Sequence, residues 1–236
     1  MAALPVATVV PWCEGAVLGE VISVTASSSR PVISTLDEYY RANPDCRSQV
    51  ETYLGTFSAS DILGVRWTKS LSVESVLVGP DAHDRAAGRT WVACVVTTGG
   101  PSYGAPAPLA SAWANRTMPD AFGLCWAQDV QPRGTPLSCR SAHRTQQIAI
   151  GFVASPSDAA TSIVSAASQD AVARGCREIA ATTLGVSDPT LGGALEVRVV
   201  ADRSGSPFVQ CAVTVTGGRQ LVGSLIGLGT RPLPLK

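Results

Sequence analysis

Cys176-Arg-Glu-Ile-Ala-Ala-Thr-Thr-Leu-Gly185 decides the fold, because Cys46-Arg-Ser-Gln-Val-Glu-Thr-Tyr-Leu-Gly55 repeats its form. In both, Cys-Arg opens a helical stretch that closes on Leu-Gly, the glycine nine residues after the cysteine. Working outward, Arg89-Thr-Trp-Val-Ala-Cys94-Val-Val-Thr-Thr98 matches Ser206-Pro-Phe-Val-Gln-Cys211-Ala-Val-Thr-Val-Thr216. A third match sets the segment around Cys13, running to Glu20 and Val24, beside the segment around Cys139, running to Gln146 and Val153. Three cysteines thus recur in one order and in similar surroundings. Self-similarity of this kind marks a duplicated unit. The expected organisation is two modules, 1–118 (with a Pro/Gly/Ala/Ser-rich linker at 99–118) and 119–236.

Each module reads as α+β: a strand, a helix, then two or three strands, with the helix packed on one face of a mainly antiparallel sheet. Gly19–Ala26 and Gln146–Ala154 carry the β-branched and apolar residues of strands. Residues 35–54 place Leu36, Tyr39, Tyr40, Cys46, Val50, Tyr53 and Leu54 at helical spacing, with Pro44 as an expected break or kink. Residues 158–184 do the same with Ile163, Val172, Cys176, Ile179 and Leu184. Gly55 and Gly185 stop the two helices. Further strands are expected at Ile62–Val73, Trp91–Thr98, Ala194–Asp202, Phe208–Thr216 and Gln220–Gly227. A hairpin turn is expected at Thr216-Gly-Gly-Arg219.

The chain has 236 residues, and its 18 basic and 18 acidic side chains cancel. With no basic run, a nucleic-acid partner or an anionic surface recognised by charge is excluded. Two histidines exclude a histidine-rich metal site; no metal, cofactor or catalytic residue is expected. No apolar run approaches the roughly 18–20 residues of a membrane span, and the N-terminus lacks a signal-peptide pattern. Seven cysteines with no Cys-x-x-Cys pair argue against a zinc ribbon or a thioredoxin-type site. A helix lying on a sheet brings its buried-face cysteine within disulfide reach of a strand cysteine. The expected bridges are therefore Cys46–Cys94 and Cys176–Cys211, with Cys125–Cys139 as the third. Cys13 is left unpaired. By analogy with Cys139 its partner belongs about 14 residues upstream, so the chain is expected to be the later part of a longer natural protein, truncated at its N-terminus. Persistent bridges belong to oxidising compartments.

These residues resemble the actinobacterial septum-formation domain family, whose members are membrane-anchored or exported. Gly123-Leu124-Cys125 resembles the family's opening, and Cys139-Arg-Ser-Ala-His143-Arg-Thr-Gln146 its Cys-x-x-Pro-His-x-x-Glu strand motif. Tyr53-Leu54-Gly55 resembles the helix end, Pro80 through Gly88-Arg89 to Cys94 the segment before the strand cysteine, and Leu221-Val-Gly-Ser-Leu225 the closing strand. The first copy keeps Glu20 and has Val17 at the histidine position; the second keeps His143 and has Gln146 at the glutamate position. Neither copy holds the full His/Glu pair. The resemblance implies an extracytoplasmic, disulfide-bonded module connected with the cell envelope or septation, and it names no reaction.

Other motifs weigh less. Gly100-Pro-Ser102-Tyr-Gly104 matches a nucleophile elbow, and Asp129 and His143 follow in triad order. An elbow must feed a helix, however, and Ala105-Pro-Ala-Pro108 cannot start one cleanly. His143 reads as a surface residue ordering a turn, or as a binding residue; His83 reads as a solvated loop residue. Glu20 reads as a partly buried carboxylate held by hydrogen bonds. The expected function is that of a non-catalytic, extracytoplasmic interaction or scaffold domain with a protein or cell-wall partner. Membrane contact is expected only through an anchor outside this chain. Glu20, His143 and Gln146 are the candidate binding residues. The alternatives are a small-ligand or peptidoglycan sensor using a groove between the modules, and a serine hydrolase.

Overall fold

The computed structural model describes residues 19–26, 44–55, 60–80, 82–88, 91–97, 109–112, 115, 118–128, 136–153, 166–201 and 207–236. Among these, helices pack on antiparallel sheets in a mixed α+β fold tied by three disulfides, Cys46–Cys94, Cys125–Cys139 and Cys176–Cys211. Cys46–Cys94 and Cys176–Cys211 are the pairs expected from the helix and strand positions, and Cys125–Cys139 the expected third. The chain divides into two compact units, one of 1–56 and 73–115, the other of 57–72 and 116–236. Among the described residues no helix is long and apolar enough to cross a membrane.

In the first unit, β1 (Gly19–Ala26), β4 (Glu74–Val78) and β5 (Trp91–Thr97) form a sheet in the order β1-β5-β4. A bulge between Val21 and Ser23 breaks the β1–β5 register, after which Ser23 faces Cys94. Helix α1 (Pro44–Leu54) packs on this sheet. Cys46, Val50 and Leu54, at four-residue spacing, are its buried face. The bridge to Cys94, with Cα atoms 5.5 Å apart, pins the helix to the central strand. Pro44 opens the helix, where a residue without an N–H leaves no intrahelical bond unmade. Residues 35–43 of the expected helix lie outside the described residues. A short helix α2 (Ala82–Ala86) carries an exposed His83, where the sequence suggests a loop.

The second unit is built on β7 (Thr145–Val153), flanked on one edge by β9 (Phe208–Val215) and then β8 (Leu195–Ala201). On its other edge it takes two strands end to end. Val65–Lys69 (β3) pairs with Ala149–Val153, and Leu124–Trp126 (β6) pairs with Thr145–Gln147. A bulge between Gln147 and Ala149 precedes the Ala149–Cys211 pair. Helix α3 (Ala166–Leu184) lies on this sheet, with Val172, Cys176, Ile179, Ala180 and Leu184 buried against Val65, Trp67, Ile148, Cys211 and Val213. Trp67 sits against two glycines. A Cβ on Gly175 would come 2.6 Å from the indole Nε1, and one on Gly151 would come 2.9 Å from the ring. At the end of α3 the Val186 N–H donates to the Ala181 carbonyl at 3.0 Å and Gly185 has φ 73°, a Schellman close.

Two expectations about strands are corrected. Ile62–Val73 is not one strand of the first half. Ser60–Ile62 (β2) and β3 form a hairpin around Leu63-Gly64, both with positive φ, and this hairpin joins the second unit's sheet. The reason is β7, whose free edge beyond β6 offers unpaired backbone groups that a strand must satisfy. Gln220–Gly227 is not a strand either. The Thr216–Arg219 turn does form, with Gly217 and Gly218 at φ 68° and 70°. The chain beyond it pairs only at Leu221, with His143 and with Leu235, and then turns over the core.

Candidate functional site

The second unit gathers most of the sequence's candidate residues around the Cys125–Cys139 bridge. Cys125 lies in β6 opposite Gln146 and also bridges to Leu137, so its backbone is held from two sides. A turn closed by the Ser141 N–H on the Ser138 carbonyl, at 2.9 Å, carries Cys139. The same turn presents the Ser141 carbonyl to His143. His143 then enters a two-bond bridge with Leu221, donating at 3.0 Å and accepting at 2.7 Å. Both cysteines, His143 and Gln146 are 0% exposed.

Full burial of His143 corrects the expectation of a surface histidine. Its backbone pairs with Leu221, a contact set by the fold and not by neighbouring residues. Its Nδ1 lies 2.8 Å from the Ser141 carbonyl oxygen. A carbonyl only accepts, so Nδ1 carries the proton and Nε2 the lone pair. Nε2 is buried with no hydrogen-bond partner among the described residues. Burial pushes the imidazole below its ordinary pKa, against opposing pulls from the Ser141 carbonyl and the Asp120 charge. The ring is therefore neutral at pH 7.

Gln146 is bonded at both ends of its amide. Its Nε2 donates to Ser224 Oγ at 2.9 Å and its Oε1 accepts the Leu225 N–H at 2.7 Å. Ser224 Oγ also accepts the Ile226 N–H, and the Ser224 N–H donates to Asp120 Oδ1 at 2.7 Å. An amide suits this place because it must donate and accept at once. Gly123 makes room for the cluster: a Cβ there would run into Cys139 Sγ and come within 3.0 Å of Gln146 Nε2. Asp120 escaped sequence reading altogether, and Ser224 appeared only as part of the closing-strand motif. Gly123 appeared in the opening motif, but its spacing gave no sign that it faces Gln146.

Glu20, the remaining candidate, belongs to the first unit and is half-buried. It accepts from Tyr53 Oη at 2.7 Å and from the Leu109 N–H at 3.0 Å, as expected for a carboxylate held by hydrogen bonds. Its two oxygens tie β1 to the end of α1 and to the segment at 109–112. Cys13, Ser102 and Asp129 lie outside the described residues. No protein-family model, curated protein or solved structure matches the chain.

Proposed function

We propose that this chain is a non-catalytic interaction domain of the cell envelope, made of two diverged copies of one module and related to the septum-formation domains. The carrying observation is that equivalent polar positions in the two units are spent on the same structural task. Glu20 accepts the N–H of Leu109, and Gln146 accepts the N–H of Leu225. Around these two bonds the agreement continues. The Ser111 N–H donates to the Tyr53 carbonyl and the Gly227 N–H to the Thr183 carbonyl, each acceptor two residues before its helix-stop glycine. Strand orders β1-β5-β4 and β7-β9-β8 correspond, and each first strand carries a bulge just before the residue that faces the bridged cysteine. Side chains so engaged serve to hold a scaffold together.

Three disulfides fit an oxidising, extracytoplasmic location. The partner is a protein or a cell-wall polymer. Depletion of the protein in its native cell is expected to misplace or delay septa; unchanged septation overturns the septal link. Co-sedimentation with purified peptidoglycan separates a wall partner from a protein partner. Labelling of Ser102 by an activated phosphonate would overturn the non-catalytic reading.

A further inference from the structure

We infer that Cys125, Cys139 and His143 form a latent metal site that becomes competent when the Cys125–Cys139 bridge is reduced. The ligand atoms of the three residues all lie within 4.8 Å of one another. A tetrahedral zinc centre holds thiolate and imidazole donors about 3.5–3.8 Å apart, a spacing that falls inside the 4.8 Å limit of this cluster once the bridge is open. The imidazole is already prepared. Its Nδ1–H is oriented by the Ser141 carbonyl, the outer partner that metal-bound histidines ordinarily have, and its Nε2 lone pair is buried and unused. A buried acceptor without a partner is costly, and a cation gives it one. The three residues stand on a held scaffold: β6 and its Leu137 bridge for Cys125, the Ser138–Ser141 turn for Cys139, and the Leu221 bridge for His143. The other two bridges have no described histidine beside them in such a cluster.

The chemistry balances with a protein dithiol as reductant. One of its thiolates attacks a sulfur of the bridge, its second thiol resolves the mixed disulfide, and two electrons pass to the bridge as the dithiol becomes a disulfide. Both freed cysteine thiols then release their protons to solvent as they bind one soft or borderline divalent ion such as Zn²⁺. His143 contributes a neutral nitrogen and water completes the tetrahedron.

The test uses the full chain, reduced with a phosphine and titrated with Co²⁺ as a spectroscopic probe. Expected are one thiolate-to-cobalt charge-transfer band and tetrahedral d–d bands, saturating at about one ion per chain; the oxidised chain gives neither. Cys125→Ser/Cys139→Ser abolishes the signal. His143→Gln weakens Co²⁺ binding at least tenfold. If that variant does not fold, the ¹⁵N resonance of His143 Nε2 in the wild-type chain is expected to move on Zn²⁺ addition while Nδ1 stays protonated. The inference is overturned if reduction unfolds the second unit, read as loss of exchange protection in β7 and β9, or if the reduced chain gives no cobalt band. It is equally overturned if the band survives the double cysteine change, or if the Nε2 resonance does not move.

Discussion

The two units pin a helix to an inner strand of a sheet in the same way, and among the described residues they surround that pin with different amounts of structure. In the first, an 11-residue helix covers three strands, and its described core is Cys46, Val50, Leu54, Ala93, Cys94 and Val96 with Leu109 and Ala112. In the second, a 19-residue helix covers a larger sheet around Trp67, and the segment from Leu221 to Leu228 closes the core. The lesson is that one cysteine pattern serves two roles. Where the described apolar core is smaller, the bridge does more of the holding; where it is larger, the bridge adds to burial.

The largest effect should come from cutting the pins. In the chain-entropy picture, closing loops with separations of 48 and 35 residues contributes about 4 kcal/mol each. Cys46→Ala/Cys94→Ala is expected to unfold the first unit, with hydrogen exchange in β5 rising to unprotected rates. Cys176→Ala/Cys211→Ala should lower the melting temperature while β7 and β9 stay protected. Equal loss of protection in both units would break the comparison.

A second change probes the larger core alone. Gly175→Ala drives a methyl group against Trp67, for an expected cost of about 1–3 kcal/mol in urea unfolding, with the first unit's exchange unaffected. A third exchanges a detail between the units. Ser111 adopts φ 55° where Gly227 adopts 65°, a region an L side chain enters at a cost. Ser111→Gly should stabilise the first unit by about 1 kcal/mol, and Gly227→Ser should destabilise the second by a similar amount. No difference in sign would undo the proposed equivalence of the two positions.

The smallest effect concerns pH. His143 has its pKa lowered in the folded state, so the unfolded chain takes up the proton first as pH falls below about 6.5. Stability is lost across the window between that value and the lower folded value, and no further below it. Urea midpoints for the wild-type chain should fall more steeply between pH 7.5 and 5 than those for His143→Gln. Parallel slopes would show that His143 gains a proton as easily folded as unfolded.

Much of the first unit was legible before its coordinates, because a helix face and its stop are written in residues three, four and nine apart. Cys46 to Gly55 and Cys176 to Gly185 needed nothing beyond that spacing. The bridges followed once the helix cysteines were set against the strand cysteines. The candidate site was less legible. Glu20 was read correctly as a held carboxylate, but His143 was placed at the surface, since nothing within five residues of it says that Leu221 will lie across it. Gln146 looked like a degraded acid and proved to be a two-ended hydrogen-bonding group.

What the sequence alone determined was the class of fold, the helix ends and the cysteine partners, all consequences of local periodicity and of which faces are apolar. Only the tertiary structure decided where β2 and β3 pair, that the stretch after Thr216 turns over the core instead of extending, and that His143 is buried with one nitrogen unpartnered. Those outcomes depend on which backbone edge is free and which segment arrives to cover it, and such choices between residues far apart in the chain leave no mark in local spacing.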